Sequence, residues 1–165
     1  MIKMDKSISL PSKALPWILP TLFVTAPQNS SCIILSPWVE NILLNVGELK
    51  GKSGKMGGQV PIIELLQWLN AEHRKSFTIY VREINLRDER LMPFLAVVQE
   101  GFLQLREIPN LHAKLVITDD WILQTSANLL WRSYNINVEN AILMHNPLGG
   151  ATNYFSHFKI QQGFT

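Results

Sequence analysis

Residues 111–119 carry a histidine and a lysine two positions apart, His112 and Lys114, within the run LHAKLVITD. Successive side chains of a β-strand point to opposite faces, so an extended segment places His112 and Lys114 on one face. An imidazole can act as a nucleophile or carry a proton, and an ammonium group can hold an anionic oxygen. The pair therefore indicates chemistry at a phosphate.

A second polar group follows along the chain, with Ser126 and Asn128 at the end of the next predicted strand and Glu139 further on. We expect a helix over 129–134, whose N-terminus would present free N–H groups to an anion. The Asn128 amide can donate to a phosphate oxygen, and a carboxylate can orient an imidazole. The sequence lacks the Asp/Glu cluster expected of a two-metal site, so we expect neither a metal nor any other cofactor.

The spacing HxKxxxxD, followed by a small residue, Ser, any residue and Asn, resembles the HKD signature of the phospholipase D superfamily. His112, Lys114 and Asp119 match it fully. Ser126 and Asn128 match the Gly-Ser-x-Asn part, with Thr125 in place of the usual glycine. Residues 36–38 and Glu139 are also similar to single-motif bacterial nucleases of this family, in which the acidic residue orients the histidine.

This resemblance implies a layered α-β-α domain with a mixed central sheet and a metal-independent reaction through a phosphohistidine. Most relatives carry two motifs, and this chain has one, so the resemblance implies a homodimer that pairs His112 from each copy. One His112 would attack phosphorus and the other would protonate the leaving oxygen. The candidate catalytic residues are His112, Lys114, Asn128 and Glu139, with Ser126 assigned to hydrogen bonding and Asp119 to a structural role.

Two features suggest contacts with substrate outside the motif. Residues 47–59 are rich in Gly and Lys and predict a flexible exposed loop over 46–60, whose Lys52 and Lys55, together with Lys50, either touch nucleic-acid phosphates or are merely solvated. Trp131 is a candidate for stacking on an unpaired base, and Trp121 and Tyr134 also flank the motif. Core packing is the better interpretation for Trp121, which falls within a predicted strand.

The hydrophobic periodicity predicts an α/β domain with a mixed sheet, because the turn at 119–120 is short enough for a hairpin. Prolines within 8–24 argue against a membrane span there and predict an irregular segment. Expected helices cover 38–46, 61–73, 88–99 and 152–161. Expected strands cover 32–36, 77–81, 103–108, 111–118, 121–126 and 138–145.

Composition is consistent with one domain over residues 1–165. The apolar fraction is 47% and the charged fraction only 17%, which favours a buried self-association face. The net charge of +2 is compatible with an anionic partner without requiring one. The single cysteine, Cys32, lies in an apolar run and is expected in the core, and the lack of a disulfide framework fits the cytoplasm.

Three functions remain open from the sequence. The first is a nuclease that acts on DNA or RNA, which the small size and mildly basic balance favour. The second is a phospholipase or phosphatidyltransferase, for which the Leu- and Pro-rich stretch at 8–24 would face the membrane. The third is a non-catalytic or partner-dependent subunit of a nucleic-acid-processing or defence assembly, since so short a domain has little room for a target-recognition module.

Overall fold

The computed structural model describes residues 7–135, 137 and 139–164. A seven-stranded sheet forms the centre, and a separate two-stranded hairpin lies beside it. The elements in chain order are β1 (Ser7–Leu10), α1 (Leu15–Thr25), β2 (Ser31–Leu35), β3 (Leu43–Gly51), β4 (Gly54–Pro61), α2 (Ile62–His73), β5 (Ser76–Val81), α3 (Met92–Val98), β6 (Leu103–Glu107), β7 (Leu115–Ile117), β8 (Trp121–Thr125), α4 (Trp131–Asn135), β9 (Ala141–His145) and α5 (Ala151–Gln162).

The central sheet has the order β1-β9-β8-β7-β2-β5-β6. Strands β2, β5 and β6 are parallel, whereas β7, β8, β9 and β1 pair antiparallel to their neighbours. The predicted mixed sheet is therefore confirmed. The carboxyl ends of β2, β5 and β8 and the amino ends of β7 and β9 meet at the same end of the sheet, which we call the site end.

Helices cover both faces of the sheet, and the alternation of side chains along β2 shows how. Cys32 and Ile34 belong to the core cluster that includes α1, α2 and α3, whereas Ile33 and Leu35 belong to the cluster that includes α5. A strand buried on both faces reads as a continuous apolar run, as this one does. Burial raises the pKa of the Cys32 thiol to about 12, which agrees with its predicted place in the core.

The prediction of an irregular N-terminal segment is wrong, because the segment forms strand β1 and helix α1. Pro16 stands within the first two positions of α1, where a missing N–H costs no helical hydrogen bond. Pro20 does interrupt the helix, but burial of the side chains on this face, including Leu15, Leu19 and Phe23, offsets that cost. Within the described part of the chain, each helix is too short or too polar to cross a membrane.

Two further predictions between β2 and α2 are wrong. Residues 38–46 form no helix: Val39 makes a single bridge to Leu129, and β3 begins at Leu43. Residues 47–59 are exposed, as expected, but form the β3–β4 hairpin rather than a loop. The glycine content favoured a loop, whereas side chains at the base of the hairpin, among them Leu44, Val46 and Val60, are buried in the core and hold both strands there.

The remaining elements lie close to their predicted positions. Helix α2 begins one residue after Pro61 and ends at His73, as expected. Helix α3 is shorter than the predicted 88–99, because residues 88–91 form turns before it starts. The predicted terminal helix is confirmed as α5. The hairpin turn at 119–120 between β7 and β8 is also confirmed.

Lys75 is buried, with an exposed fraction of only 1%, and lies at the carboxyl end of α1. Its Nζ donates to the carbonyl oxygens of Phe23 at 2.6 Å and Val24 at 2.9 Å. The last carbonyls of a helix lack partners within the helix, and residue 27 is a proline with no N–H to offer Phe23. Lys75 therefore caps α1 and fixes it against the sheet.

Replacement of Lys75 by methionine is expected to lower the free energy of unfolding by about 2–4 kcal/mol, because two buried carbonyls lose their donor. Urea unfolding at neutral pH measures this change. The control is Lys13→Met, at an exposed position, which should change stability by less than about 0.5 kcal/mol. Equal effects of the two substitutions would show that Lys75 contributes no specific cap.

The pH dependence provides a second check on Lys75. Burial lowers the pKa of Lys75 in the folded protein. Between this lowered pKa and the ordinary value of about 10.4, the unfolded chain binds the extra proton, so stability rises with pH through that interval. The stability of the wild type relative to Lys75→Met should therefore increase as pH rises toward about 10. A difference that stays constant with pH would contradict this.

Candidate active site

The register of the antiparallel strands brings five of the predicted site residues to the site end of the sheet. Leu115 lies opposite Gln124, and Thr125 lies opposite Ala141. The segments just before β7, just after β8 and just before β9 are therefore neighbours. These segments contain His112, Lys114, Ser126, Asn128 and Glu139.

His112 and Lys114 precede β7 rather than lying within it, so the predicted strand over 111–118 is wrong at its start. β7 begins at Leu115, opposite Leu35, the last residue of β2. The pairing between β2 and β7 ends at this pair, so residues 111–114 have no residue of β2 opposite them. His112 is exposed, and Lys114 Nζ donates to the His112 carbonyl at 2.9 Å.

Ser126 and Glu139 join the loops that follow β8 and precede β9. The Ser126 hydroxyl lies 2.5 Å from a carboxylate oxygen of Glu139 and accepts the Asn140 N–H at 2.9 Å. The other carboxylate oxygen of Glu139 accepts from the Asn137 amide at 3.2 Å. The described contacts of Glu139 are thus with Ser126 and Asn137, and it makes no hydrogen bond to His112 of its own chain.

Asn128 lies on a loop that Ser36 holds in place. Ser36 Oγ donates to the Trp38 carbonyl at 2.7 Å and accepts the Leu129 N–H at 2.9 Å. The side-chain oxygen of Asn128 is buried and has no hydrogen-bond partner among the described residues. The oxygen and nitrogen of an amide can exchange places by rotation, so the position without a partner can hold either a hydrogen-bond acceptor or a donor.

Sequence reasoning missed Arg82, which contacts His112 directly. Its Nη2 lies 3.0 Å from His112 Nδ1, and Nε and Nη2 donate to the Leu111 carbonyl at 3.2 and 3.1 Å. A guanidinium has no acceptor, so Nδ1 of His112 accepts in this arrangement. Arg82 directly follows β5, and this position after a buried strand was the signal in the sequence that could have suggested it.

Two cations of the site, Arg82 and Lys114, form no ion pair with a described carboxylate. Among the described residues, the ion pairs within 4.0 Å join Glu48 to Lys50 and Lys55, and Asp88 to Arg90; Arg82 and Lys114 take part in none. A cavity of about 460 Å³ opens beside His112 and Lys114, and α5 forms its opposite wall. The wall includes Tyr154, Phe158, Gln161 and Gln162. Such a concave, cationic surface favours an anionic ligand.

Asp119 matches the motif but lies at the other end of β7. Its carboxylate accepts the Ala151 N–H at 2.9 Å, and its carbonyl accepts the Gly150 N–H at 3.2 Å. These bonds join the β7–β8 turn to the start of α5. Because β7 separates it from His112, Asp119 does not join the candidate catalytic residues within one chain.

Lys52 and Lys55 also lie away from the site end. The N–H groups of Lys52 and Ser53 at the hairpin turn donate to Glu72, near the carboxyl end of α2. That end of α2 leads into the amino end of β5, whereas the site is at the carboxyl end of β5. One chain therefore does not bring these lysines and His112 together.

The aromatic candidates separate by exposure. Trp131 has an exposed fraction of 47% and begins α4 near the site end, whereas Tyr134 is buried and cannot stack on a base. Burial raises the pKa of the Tyr134 phenol. Trp121 is partly buried at the opposite end of β8, where it packs against the core as expected.

The prediction of an anion site at the start of α4 is wrong. The backbone N–H of Trp131 donates to a carboxylate oxygen of Glu40 at 3.0 Å, so the chain's own carboxylate already occupies this helix end. Helix α4 has only five residues. No group of three or more His, Cys, Asp or Glu side chains arranged to hold a metal ion is found among the described residues.

Several solved structures have a fold similar to that of this chain. No protein-family model and no curated protein matches the sequence. Among solved structures, Nuc from Salmonella typhimurium, a phospholipase D family member, is similar with a TM-score of 0.60 and 13% identity over 96% of this chain and 91% of that chain. NucT from Helicobacter pylori is similar with a TM-score of 0.60 and 11% identity over 96% and 94% of the two chains.

A third similar structure is TrmBL2, an archaeal chromatin protein described as showing a novel mode of DNA binding. It has a TM-score of 0.54 and 12% identity over 99% of this chain and 53% of that chain. Identities this low show a shared fold. The chain therefore has the fold of phospholipase D family members, as its HKD-like motif predicted.

Proposed function

We propose that the chain is a metal-independent phosphodiesterase that cleaves DNA or RNA through a phosphohistidine on His112, at a site shared by two copies. The observation that supports the proposal is that the loops carrying His112 and Lys114, Asn128, and Glu139 are neighbours at the site end. Three separate loops contribute these side chains. They supply a nucleophile, a fixed cation, an amide and a carboxylate, which together suit phosphoryl transfer.

His112 is suited to act as the nucleophile because its side chain is exposed and lines the cavity beside Lys114. Attack on phosphorus uses the lone pair of an unprotonated ring nitrogen. Lys114 lies beside it, with Nζ 2.9 Å from the His112 carbonyl, and can hold a non-bridging phosphate oxygen. Asn128 can add a hydrogen bond to the same phosphate.

The reaction also needs an acid, and we assign this role to His112 of a second copy of the chain. His73 ends α2 and His145 ends β9, both away from the site end, and His157 bonds Gln161 on α5 at 2.9 Å. A second copy of the chain would supply His112 across a two-fold axis. Glu139, which does not contact His112 of its own chain, would then orient the imidazole of the second copy.

The reaction has two steps, attack on phosphorus by His112 and hydrolysis of the phosphohistidine. A ring nitrogen of His112 bonds to phosphorus, the bond to the leaving oxygen breaks, and that oxygen takes a proton from His112 of the second copy. Water then attacks phosphorus, the phosphorus–nitrogen bond breaks, and the second imidazole takes the proton of the water. Lys114 and Asn128 stabilise the charge that develops on the phosphate oxygens.

Nucleic acid is the preferred substrate class. The lipid alternative depended on an exposed apolar segment at 8–24. Leu15, Leu19, Leu22 and Phe23 of that segment lie in the core, and its exposed large apolar side chains are Ile8 and Trp17. Arg82 and Lys114, which form no ion pair with a described carboxylate, can bind the phosphates of a nucleic-acid backbone. The exposed Trp131 near the site end can stack on a base. The partner-dependent subunit remains an alternative, which a dimeric but inactive wild type would favour.

Replacement of His112 by alanine is expected to lower the rate of DNA cleavage in excess EDTA by about 1000-fold or more, because the nucleophile is lost. Release of nitrophenol from bis-p-nitrophenyl phosphate and gel assays on single-stranded and double-stranded DNA measure the loss. The control is His145→Ala, an exposed histidine at the far end of β9, which should retain activity. Cleavage that survives His112→Ala would exclude the mechanism.

Mixed dimers test whether two copies share the site. After subunit exchange between equal amounts of wild type and His112→Ala, about a quarter of the dimers carry two intact His112 side chains. Activity should therefore fall to about a quarter of that of the same total amount of wild type. Exchange with His145→Ala should leave activity unchanged. A fall to about one half would show that each copy works alone.

A further inference from the structure

Trp38 is an aromatic side chain at the site end that the catalytic proposal does not use. It has an exposed fraction of 41% although it is large and apolar. Its backbone is fixed on both sides: the Trp38 carbonyl accepts from Ser36 Oγ at 2.7 Å, and the Pro37 carbonyl accepts the Arg82 N–H at 3.2 Å. The exposed ring is therefore presented by a rigid part of the chain.

Arg82 connects this ring to the proposed nucleophile. Its guanidinium carbon lies 4.7 Å from the centre of the Trp38 ring, and its Nη2 lies 3.0 Å from His112 Nδ1. A guanidinium over an indole ring makes a favourable cation–π contact. Trp38 and His112 are thus separated by a single side chain, which itself can bind a phosphate oxygen.

A cleft of about 160 Å³ opens beside the two side chains. Its walls are formed by Pro37, Trp38, Arg82, Glu83, Asn85, Asp88 and Arg90. Arg90 is already bound by Asp88, with nitrogen–oxygen distances of 2.9 and 2.7 Å. Within the described ranges, Arg82 is the cation of this cleft that has no carboxylate partner.

We propose that Trp38 and Arg82 form a subsite for one unpaired nucleotide, with the base stacked on the face of the indole ring that Arg82 does not cover and the adjoining phosphate held by the guanidinium. This inference rests on the proposed function and specifies its substrate class. A base within a duplex has both faces covered by its neighbours, so only an unpaired base can stack on a protein ring. The subsite therefore selects nucleic acid that is single-stranded at the nucleotides next to the cleaved bond.

The test separates the contribution of the bases from that of the backbone. A short thymidine oligonucleotide and an abasic deoxyribose-phosphate chain of equal length carry the same charge, and only the former can stack. All variants carry His112→Ala so that the oligonucleotide stays intact, and fluorescence polarisation measures the dissociation constants. The protein with Trp38 is expected to bind the thymidine strand about 5- to 100-fold more tightly than the abasic strand.

Trp38→Ala should remove most of this preference, and Trp38→Phe should retain part of it, since a phenyl ring also stacks. The matched control is Trp17→Ala, which removes an indole that is 55% exposed on α1 and should keep the full preference. Arg82→Gln should weaken binding of both strands by the same factor, because it removes a phosphate contact. Circular dichroism verifies that each variant is folded.

A preference that persists in folded Trp38→Ala, or one that Trp131→Ala alone abolishes, would overturn the assignment to Trp38. The experiments distinguish an error in the subsite from an error in the proposed function. Cleavage that depends on His112 without a base preference would contradict the subsite alone. A base preference that depends on Trp38, in a wild type that cleaves neither DNA nor a generic phosphodiester, would support the subsite and contradict the catalytic proposal.

Discussion

The antiparallel register from β2 through β7 and β8 to β9 is the constraint on which the candidate site depends. Leu35 lies opposite Leu115, Leu115 opposite Gln124, and Thr125 opposite Ala141. A shift of one residue in any of these pairings would move each side chain to the opposite face of the sheet, where it would meet a different set of packed helices, so packing on both faces fixes the register. The loops at the site end, and the polar groups they carry, are fixed along with it.

The same pairing divides the matched motif between two ends of the sheet. His112 and Lys114 precede β7, whereas Asp119 follows it and binds the backbone at the start of α5. A pattern that is continuous in sequence therefore performs two tasks. Its first half presents side chains to the cavity, and its last residue anchors the helix that forms the opposite wall of that cavity.

Residues that directly follow the parallel strands β2 and β5 hold the loops of the candidate site in place, although they are far from the motif in the sequence. Ser36, directly after β2, binds the backbone on either side of it at Trp38 and Leu129. Arg82, directly after β5, reaches the Leu111 carbonyl and His112. These contacts hold the loops before β7 and after β8 at fixed positions. An exposed indole and a guanidinium become neighbours of the imidazole as a result.

By itself the sequence determined the class of the fold and the chemical character of the site. The apolar runs predicted most strands and helix α2, because burial leaves a periodic pattern, and the HKD-like spacing predicted the phospholipase D fold. The tertiary structure alone decided three matters: that residues 47–59 pair as a hairpin, that Asp119 lies away from His112, and that Arg82 contacts it. Each depends on contacts between residues far apart in the chain or on side chains buried by other elements, and a local pattern of residue types does not encode such contacts.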